Sequence, residues 1–286
     1  MLRRRAARYP VRMTSGAAPG LDRILVSCLM VALPSPRRLR HFERSVSDYC
    51  RQTHPSRELV VVLDRGDPDA RDAMAAHLAA LRRDDIRVVE PSRKLSLGAL
   101  RNASIVESRG DVLCVWDDDD MHHPARVRTQ LAELVRARAR SIVLVDVLQY
   151  FSAARALHWT NWQATTPKGL PGTLMFRRSA TVRYPEAGPE SARSEDMAGI
   201  AQLQAAGGYV GMAGAPHLYV YVFHGANTWA ENHHAAFARD LTVGQARLRR
   251  HEALLRRGLS AFDFGSGDVA VTGPQGVAFA LAGGAR

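Results

Sequence analysis

Short apolar runs alternate with amphipathic stretches through the first half of the chain, and this alternation restricts the folds available to it. The apolar runs are residues 23–33, 58–64, 86–90, 111–116 and 141–151. Continuous apolar runs of this length are typical of strands buried on both faces of a sheet. The stretches between them carry helix signals, such as Ser35 as a candidate N-cap with Pro36 at the first helical position. Strands that alternate with helices predict an α/β fold with a Rossmann-type, mostly parallel sheet flanked by helices.

The pattern changes after about residue 150. Residues 156–179 are rich in Trp, Thr, Gly and Pro, which predicts loops and short antiparallel strands. A helix is predicted at 194–208, a strand at 217–225 and a long helical stretch at 232–258. This second half is therefore expected to be smaller and mixed in its strand directions.

No composition shift of the linker type interrupts the chain, so we expect one domain with two functional halves. The predicted segments are a disordered basic arm (1–22), an α/β half (23–150), a mixed half (151–258) and a C-terminal tail of unassigned role (259–286). The tail is rich in Gly and Ala, and it forms either a small hairpin or a loose end.

The chain is basic, and almost all of the positive charge is arginine. The formal net charge is +11, and only two of the 39 basic residues are lysines, Lys94 and Lys168. Because arginine is spread over nearly every predicted helix, a compositional bias is favoured over a nucleic-acid-binding stripe, and no nucleic acid partner is expected. A basic surface can still hold anionic substrates.

Compartment signals are few. The three cysteines are widely spaced and lie mostly in apolar runs, as expected of reduced, buried thiols. The N-terminal residues lack the apolar segment of a signal peptide, and no run reaches the roughly 18 apolar residues of a membrane span. We expect a cytoplasmic protein with at most peripheral contact with the inner face of the membrane.

Four consecutive aspartates, Asp117 to Asp120, follow the apolar run 111–116 directly. They form either a solvated acidic turn that caps the next helix or a magnesium or manganese site for a diphosphate. An EF-hand calcium loop does not fit, because it needs alternating ligands and a central glycine. Only a cation offsets the repulsion between the carboxylates. If the segment is extended, Asp117 and Asp119 point one way, and Asp118 and Asp120 the other.

Four stretches, in this order, match a known family: "ILVSCLMVALPSPRRLRHFERSVSDYCRQTHPSRELVVVLDRGDPD", "SLGALRNASIVESRGDVLCVWDDDDMHHP", "SEDM" and "YVYVFHGANTW". They resemble the opening strands, the Gly-x-x-Arg-Asn helix with the Asp-x-Asp motif, the catalytic Glu-Asp pair and the distal His loop of the family 2 glycosyltransferases. The resemblance spans roughly Arg23 to Trp229. It implies a GT-A fold and inverting transfer from a nucleotide sugar, bound by 23–150, to an acceptor held by 151–258.

The resemblance also implies roles for the acids and for one histidine. Asp119 would bind Mn²⁺ or Mg²⁺, and Asp117 and Asp118 would hold the donor or the water shell of the metal. Asp120 would lie behind these residues or toward the acceptor. His224, at a strand end, is a candidate third metal ligand or diphosphate contact, and a structural role is an open alternative.

Further roles follow by position. Asp64 would contact the base and ribose of the donor, although Arg65 stands where the family usually has a second acid, so the identity of the base stays open. Arg101 and Asn102 would lie near the donor diphosphate. Asp196 would be the general base, with Glu195 beside it, although first-turn acids also complement a helix N-terminus without any catalytic role.

Two further features leave alternatives open. Trp159, Trp162 and Trp229 each either stack on a sugar or fill the core. The Gly-rich stretch 169–173 could let the backbone approach the donor sugar closely.

The resulting hypothesis is a metal-dependent inverting glycosyltransferase. We expect a UDP-sugar donor in preference to a GDP- or TDP-sugar, and a glycan, lipid-linked or small-molecule acceptor. One alternative is a nucleotidyltransferase, although the turn after the first strand, "VALPSPRRLR", has no glycine. The other is a non-catalytic basic protein that binds nucleic acid or an anionic surface.

Overall fold

Two mixed sheets form the frame of the protein in a computed structural model that describes residues 20–283. The strands are β1 (Val26–Ala32), β2 (Arg57–Leu63), β3 (Ile86–Val89), β4 (Val112–Val115), β5 (Met121–His122), β6 (Ser141–Leu144), β7 (Asp146–Phe151), β8 (Ala156–Asn161), β9 (Met175–Arg177), β10 (Tyr209–Met212), β11 (Tyr219–Phe223), β12 (Val269–Gly273) and β13 (Gly276–Leu281). The α-helices are α1 (Leu39–Cys50), α2 (Pro68–Ala80), α3 (Leu97–Glu107), α4 (Arg126–Arg136), α5 (Glu195–Ala205), α6 (Glu231–Leu241), α7 (Gln245–Arg250) and α8 (Glu252–Leu259).

The first sheet has the strand order β10-β6-β9-β4-β1-β2-β3. Strands β4, β1, β2 and β3 are parallel, and β9 is antiparallel to both of its neighbours. Nearly every residue of β1, β2 and β4 is buried, because helices cover both faces. The predicted α/β fold with a mostly parallel sheet flanked by helices is confirmed.

The second sheet has the order β13-β12-β8-β7-β11-β5, and all of its strands except β5 come from residue 146 onward. The apolar run 141–151, predicted as one strand, is divided at Val145 into β6 in the first sheet and β7 in the second. The short strand β5 also joins the second sheet, through β11. The chain therefore crosses between the sheets directly after the four aspartates and again at Val145.

Local signals explain where several helices begin. Asp67 caps α2 by accepting the Ala70 N–H, and Pro68 follows at the first helical position. Ser96 caps α3 in the same way through the Ala99 N–H. The predicted start of α1 is wrong, because residues 36–38 form a separate turn and the helix begins at Leu39 without a side-chain cap.

The second half differs from the prediction in detail. The expected short antiparallel strands are present as β8 and β9, while β10 was not predicted. The long helical stretch is broken into α6, α7 and α8, with Gly244 between the first two. The tail forms the hairpin β12–β13, which extends the second sheet beside β8.

Two expectations concern the ends of the chain and the membrane. The predicted basic arm lies mostly outside the described residues, and within them Leu21 is buried in a short helical turn. Among residues 20–283, no helix combines the length and the apolar character that a membrane crossing requires.

Candidate active site

The carboxyl edge of the first sheet gathers the acidic residues that the sequence indicates. Strands β1, β2 and β4 are adjacent and parallel, so the segments that follow them lie side by side. Asp64 follows β2, and the segment Asp117–Asp120, here called the acid segment, follows Trp116 at the end of β4. Because the acid segment leads into β5 of the second sheet, it lies where the two sheets meet.

Asp117 and Asp120 face the same tyrosine. The Tyr219 hydroxyl lies 3.3 Å from Asp117 Oδ2 and donates to Asp120 Oδ2. Asp120 is fully buried and accepts a second hydrogen bond from the Val222 N–H at 2.8 Å. Burial raises the pKa of Asp120, and the charge of Asp119 raises it further. Asp120 therefore connects the acid segment to β11 through two hydrogen bonds.

Asp118 and Asp119 share the guanidinium of Arg38. Arg38 Nη2 lies 2.5 Å from Asp118 Oδ1 and 3.0 Å from Asp119 Oδ2. Burial raises the pKa of Asp118 to about 6, although Arg38 lowers it in part. Burial would also raise the pKa of Asp119, but Arg38 and a hydrogen bond from His224 outweigh it and hold that pKa below its usual range. Asp119 is thus the more firmly ionised of the two.

The predicted alternation of the four side chains is wrong. Asp118 and Asp119 contact the same cation, while Asp117 and Asp120 contact the same hydroxyl. The chain bends at residues 118–120, so the period of two that holds along an extended strand does not apply.

His224 reaches the acid segment from the end of β11. Its Nε2 lies 3.1 Å from Asp119 Oδ2, and its Nδ1 accepts the Ala226 N–H at 3.3 Å. Because Nδ1 is the acceptor, the imidazole proton is assigned to Nε2 and points at Asp119. The ring also stacks on His41 of α1, with 4.2 Å between centroids. These contacts fix His224 beside Asp119.

Arg101 of α3 joins the two acidic motifs. Its Nε donates to Glu195 Oε1 at 2.8 Å, and its Nη2 lies 3.7 Å from Asp117 Oδ1. Burial would lower the pKa of Arg101, but the charges of Asp117 and Glu195 outweigh it and raise that pKa. A permanently charged guanidinium therefore holds the first turn of α5 against the end of β4.

Asp196 follows Glu195 in the first turn of α5 but is engaged differently. Among the described residues no basic side chain forms a salt bridge with Asp196, and its Oδ1 accepts the Met197 N–H at 2.7 Å. Burial raises the pKa of Asp196; Arg101 lowers it in part and Glu195 raises it. Ser194 leads into this turn with a left-handed φ of 77° and gives no side-chain cap. Asp196 thus keeps a carboxylate oxygen available near the acid segment.

Asn102 clamps the loop before α5. Its amide nitrogen donates to Tyr184 O at 2.9 Å and to Glu186 Oε1 at 2.8 Å, and its oxygen accepts the Tyr184 N–H at 2.9 Å. In this arrangement Asn102 holds the 184–186 loop, whereas Arg101 beside it contacts the acids.

Replacing Asn102 with alanine should lower the free energy of unfolding by about 1–3 kcal/mol, because both backbone groups of Tyr184 lose their partner. Urea unfolding measures this change. Gln163→Ala is the matched control, since Gln163 is exposed and its side chain has no hydrogen bond among the described residues. Equal stability of the two variants would contradict the clamp.

Asp64 is buried beneath a lysine that the sequence did not indicate as a site residue. Lys94 Nζ pairs with Asp64 Oδ2 and donates to Arg65 O at 3.0 Å. The Arg65 N–H donates to Asp64 Oδ1 at 2.7 Å, so Arg65 supports Asp64 through its backbone. Arg65 thus stands where the family usually has a second acid, and the Lys94 ammonium pairs with the first acid, Asp64.

Burial distinguishes the tryptophans from one another, and the contacts of Gly172 place the Gly-rich stretch. Trp159 and Trp162 are buried in the core, whereas Trp229 is exposed. A Cβ on Gly172 would lie 2.4 Å from Asp117 Oδ2 and 2.6 Å from the Tyr219 hydroxyl, so a larger residue there would have to displace these two side chains. The backbone of the Gly-rich stretch thus borders the acid segment directly.

Sequence reasoning missed the cations and the tyrosine that hold the acids: Arg38, Lys94 and Tyr219. Arg38 lies in the turn after β1, which ends at the same sheet edge as β2 and β4. The rule that ligands and their partners gather at the carboxyl edge could have indicated it. Lys94 and Tyr219 carry no comparable signal, because their contacts depend on how distant segments pack.

The sequence model described as "Glycosyl transferase family 2" matches residues 31–186, more than half of the chain. The chain belongs to glycosyl transferase family 2. The match includes Asp64, Arg101 and the acid segment, and it ends before Glu195 and Asp196.

A curated relative supports this assignment. The Bacillus subtilis (strain 168) protein named "Putative glycosyltransferase EpsE" is 27% identical over 148 residues, which is 49% of this chain and 53% of that protein. This chain therefore matches about half the length of that relative.

Solved structures share the fold. TarS residues 1–349 of S. aureus, in complex with UDP, has a TM-score of 0.54 at 14% identity, over 83% of this chain and 75% of that one. The mannosyltransferase PcManGT from Pyrobaculum calidifontis, in complex with GDP-Man and Mn²⁺, has a TM-score of 0.51 at 12% identity, over 82% and 63%. At these identities the likeness concerns the fold alone, which is GT-A.

Proposed function

We propose that this glycosyltransferase is metal-dependent and inverting, and that it moves a sugar from a nucleoside-diphosphate donor to a hydroxyl of a glycan, lipid-linked or small-molecule acceptor. The observation that carries the proposal is the Arg101 bridge between Asp117 and Glu195. The bridge keeps Asp196 close to the acid segment while leaving it without a salt bridge among the described residues. One-step transfer needs both a base for the acceptor and a separate charged site for the leaving diphosphate.

Asp196 is the proposed base. It takes the proton of the acceptor hydroxyl as the acceptor oxygen bonds to the anomeric carbon and the bond from that carbon to the diphosphate oxygen breaks. Because burial raises the pKa of Asp196, the carboxylate is a stronger base than an ordinary aspartate. Glu195 is neutralised by Arg101 and acts as a positioning residue for this turn.

The donor is proposed to lie along the carboxyl edge of the first sheet, against Asp64, Arg101, Asp117 and Asp118. Related folds support a nucleotide sugar, since TarS binds UDP and UDP-GlcNAc and PcManGT binds GDP-Man. We favour UDP as the nucleotide. Asn102 supports the donor site indirectly, through the loop at Tyr184.

Asp119 and His224 are the proposed protein ligands of Mn²⁺ or Mg²⁺. Their facing atoms lie 3.1 Å apart, and a carboxylate oxygen and a neutral imidazole nitrogen suit Mn²⁺. To bind the cation through Nε2, His224 would have to take the tautomer with its proton on Nδ1 and give up the hydrogen bond from the Ala226 N–H. Asp118 Oδ2 beside them is buried and has no hydrogen-bond partner within the described part of the chain. Residues 20–283 contain no group of three or more His, Cys, Asp or Glu side chains placed to hold a metal, so water and diphosphate oxygens would have to complete the shell. When bound, the cation would neutralise charge on the departing diphosphate.

A thermal-shift panel tests the proposal. We expect UDP with Mn²⁺ to raise Tm by several degrees and UDP with EDTA to raise it less. A ligand that binds only the folded state contributes about 2.7 kcal/mol at a hundredfold excess over Kd. GDP, TDP and their sugars, each with and without Mn²⁺, are the comparison arms. A flat response to every nucleotide would contradict the proposal, and pyrophosphate release from a nucleoside triphosphate and a sugar phosphate would favour a nucleotidyltransferase.

A further inference from the structure

The four tryptophans differ sharply in exposure. Trp116, Trp159 and Trp162 are buried, whereas 38% of the Trp229 surface is exposed. Trp229 ends the loop that starts at His224 and precedes α6. An indole left open beside a catalytic site is a surface that a ligand can cover, because its apolar face gains from leaving water.

Aromatic side chains of α6 hold the Trp229 ring in place. The ring stacks on His233, with 4.7 Å between centroids and 22° between planes. His233 packs edge-on against Phe237 at 4.5 Å, and Phe237 packs against the buried Trp162 at 4.7 Å. This aromatic column connects the exposed indole to the core, so little side-chain freedom remains to be lost when a ligand binds.

Arg193 connects Trp229 to the proposed base. Its guanidinium carbon lies 5.6 Å from the Trp229 ring centroid, and Arg193 precedes Asp196 by three residues. Arg193 is exposed, and no carboxylate of residues 20–283 forms a salt bridge with it. Because the guanidinium lies over the ring in this structure and His233 stacks on it as well, Arg193 would have to move aside for a sugar to pack on the indole, and its donors would then reach the sugar hydroxyls.

We propose that Trp229 and Arg193 form the acceptor subsite and that the acceptor carries a pyranose ring. This inference rests on the proposed function and deepens it by naming the acceptor class. The C–H face of a pyranose packs on an indole, and its hydroxyls accept hydrogen bonds from a guanidinium. A lipid chain would need a contiguous apolar surface, but Glu231 and Asn232, just beyond Trp229, are exposed and polar.

Fluorescence gives a readout that does not depend on turnover. Acrylamide quenches exposed tryptophans most strongly, so Trp229 should dominate the quenchable emission. The probes are cellobiose, chitobiose, lactose and α-mannobiose, with glycerol as the polyol control. We expect at least one disaccharide to halve the slope of acrylamide quenching in the wild-type protein. No disaccharide should change the slope in Trp229→Phe. The emission of the three buried tryptophans in that variant shows whether its core is intact.

Kinetics provide the second readout. Trp229→Ala should raise the acceptor KM about tenfold, which corresponds to about 1.4 kcal/mol of lost stacking. The thermal shift with UDP and Mn²⁺ should match that of the wild type. Val277→Ala is the control, since Val277 is an exposed apolar residue of β13. It should leave the acceptor KM unchanged.

The outcomes separate the two proposals. Absence of protection by every disaccharide, protection that persists in Trp229→Phe, or an unchanged acceptor KM in Trp229→Ala would each overturn the acceptor subsite. Any of these results alongside a Mn²⁺-dependent UDP shift leaves the proposed function standing. If the wild-type protein shows no Mn²⁺-dependent UDP shift, the proposed function itself is overturned.

Discussion

Replacing Asp196 with asparagine should lower the rate of sugar transfer by on the order of 10²–10⁴-fold, the usual contribution of a general base. The amide cannot take the acceptor proton, but its oxygen can still accept the Met197 N–H that Asp196 accepts at 2.7 Å. The fold and the donor site should therefore remain intact. The measurements are kcat from release of the nucleoside diphosphate and the thermal shift with UDP and Mn²⁺, which should be unchanged.

The matched control for Asp196 is Asp69. Asp69 is an exposed acid in the first turn of α2, so it complements a helix N-terminus in the same way but lies outside the site. Asp69→Asn should keep full activity and lose only a few tenths of a kcal/mol of stability. Full activity of Asp196→Asn would reduce Asp196 to the role of Asp69 and remove the base from the mechanism.

The pH dependence of transfer has a defined sign. Burial raises the pKa of Asp196 above its ordinary value, and a base works only when it is ionised. At saturating substrate, kcat should therefore fall as pH drops through this raised pKa. The acidic limb should lie at higher pH than the pKa of about 3.9 of a free aspartate would give. The same limb in Asp196→Asn would show that another group causes it.

The fold was predictable where burial alone decides the structure. Continuous apolar runs predict β1, β2 and β4 because each is covered on both faces, and they need no knowledge of partners. The run 141–151 is mostly apolar, with Asp146 and Gln149 as interruptions, yet it serves two sheets and breaks at Val145. Apolar character indicates that a residue is buried but not which sheet buries it, so this division could not be predicted.

The acidic residues of the site were predictable from the sequence, but the residues that pair with them were not. The motifs indicate Asp119, Asp196 and Arg101 because the chemistry requires those residue types at those places in the chain. The pairing of Arg38 with Asp118 and Asp119 depends on where α1 begins, and its start at Leu39 was not predicted. Counter-ions come from whichever segment packs nearby, so spacing within the motif does not identify them.

Replacing Asp119 with alanine should abolish the Mn²⁺-dependent part of nucleotide binding and lower transfer on the order of a thousandfold, since charge stabilisation by a metal is worth several kcal/mol. Arg38 would keep its salt bridge to Asp118 and could still attract a diphosphate. We therefore expect a small UDP shift that is the same with Mn²⁺ and with EDTA. A Mn²⁺-dependent shift that survives the substitution would show that the cation is held elsewhere.

Asp120 gives the sharpest comparison, because it is the next residue and also a carboxylate. It is fully buried and accepts from Tyr219 and the Val222 N–H, so Asp120→Asn should cost about 1–3 kcal/mol of stability. Below its lowered Tm, this variant should still bind UDP more tightly with Mn²⁺ than with EDTA. Asp119→Ala should show the reverse pattern, with stability largely kept and the metal response lost. The bend in the acid segment directs Asp119 to His224 and Asp120 to β11, so the two carboxylates should have separate roles. Identical behaviour of the two variants would contradict this separation.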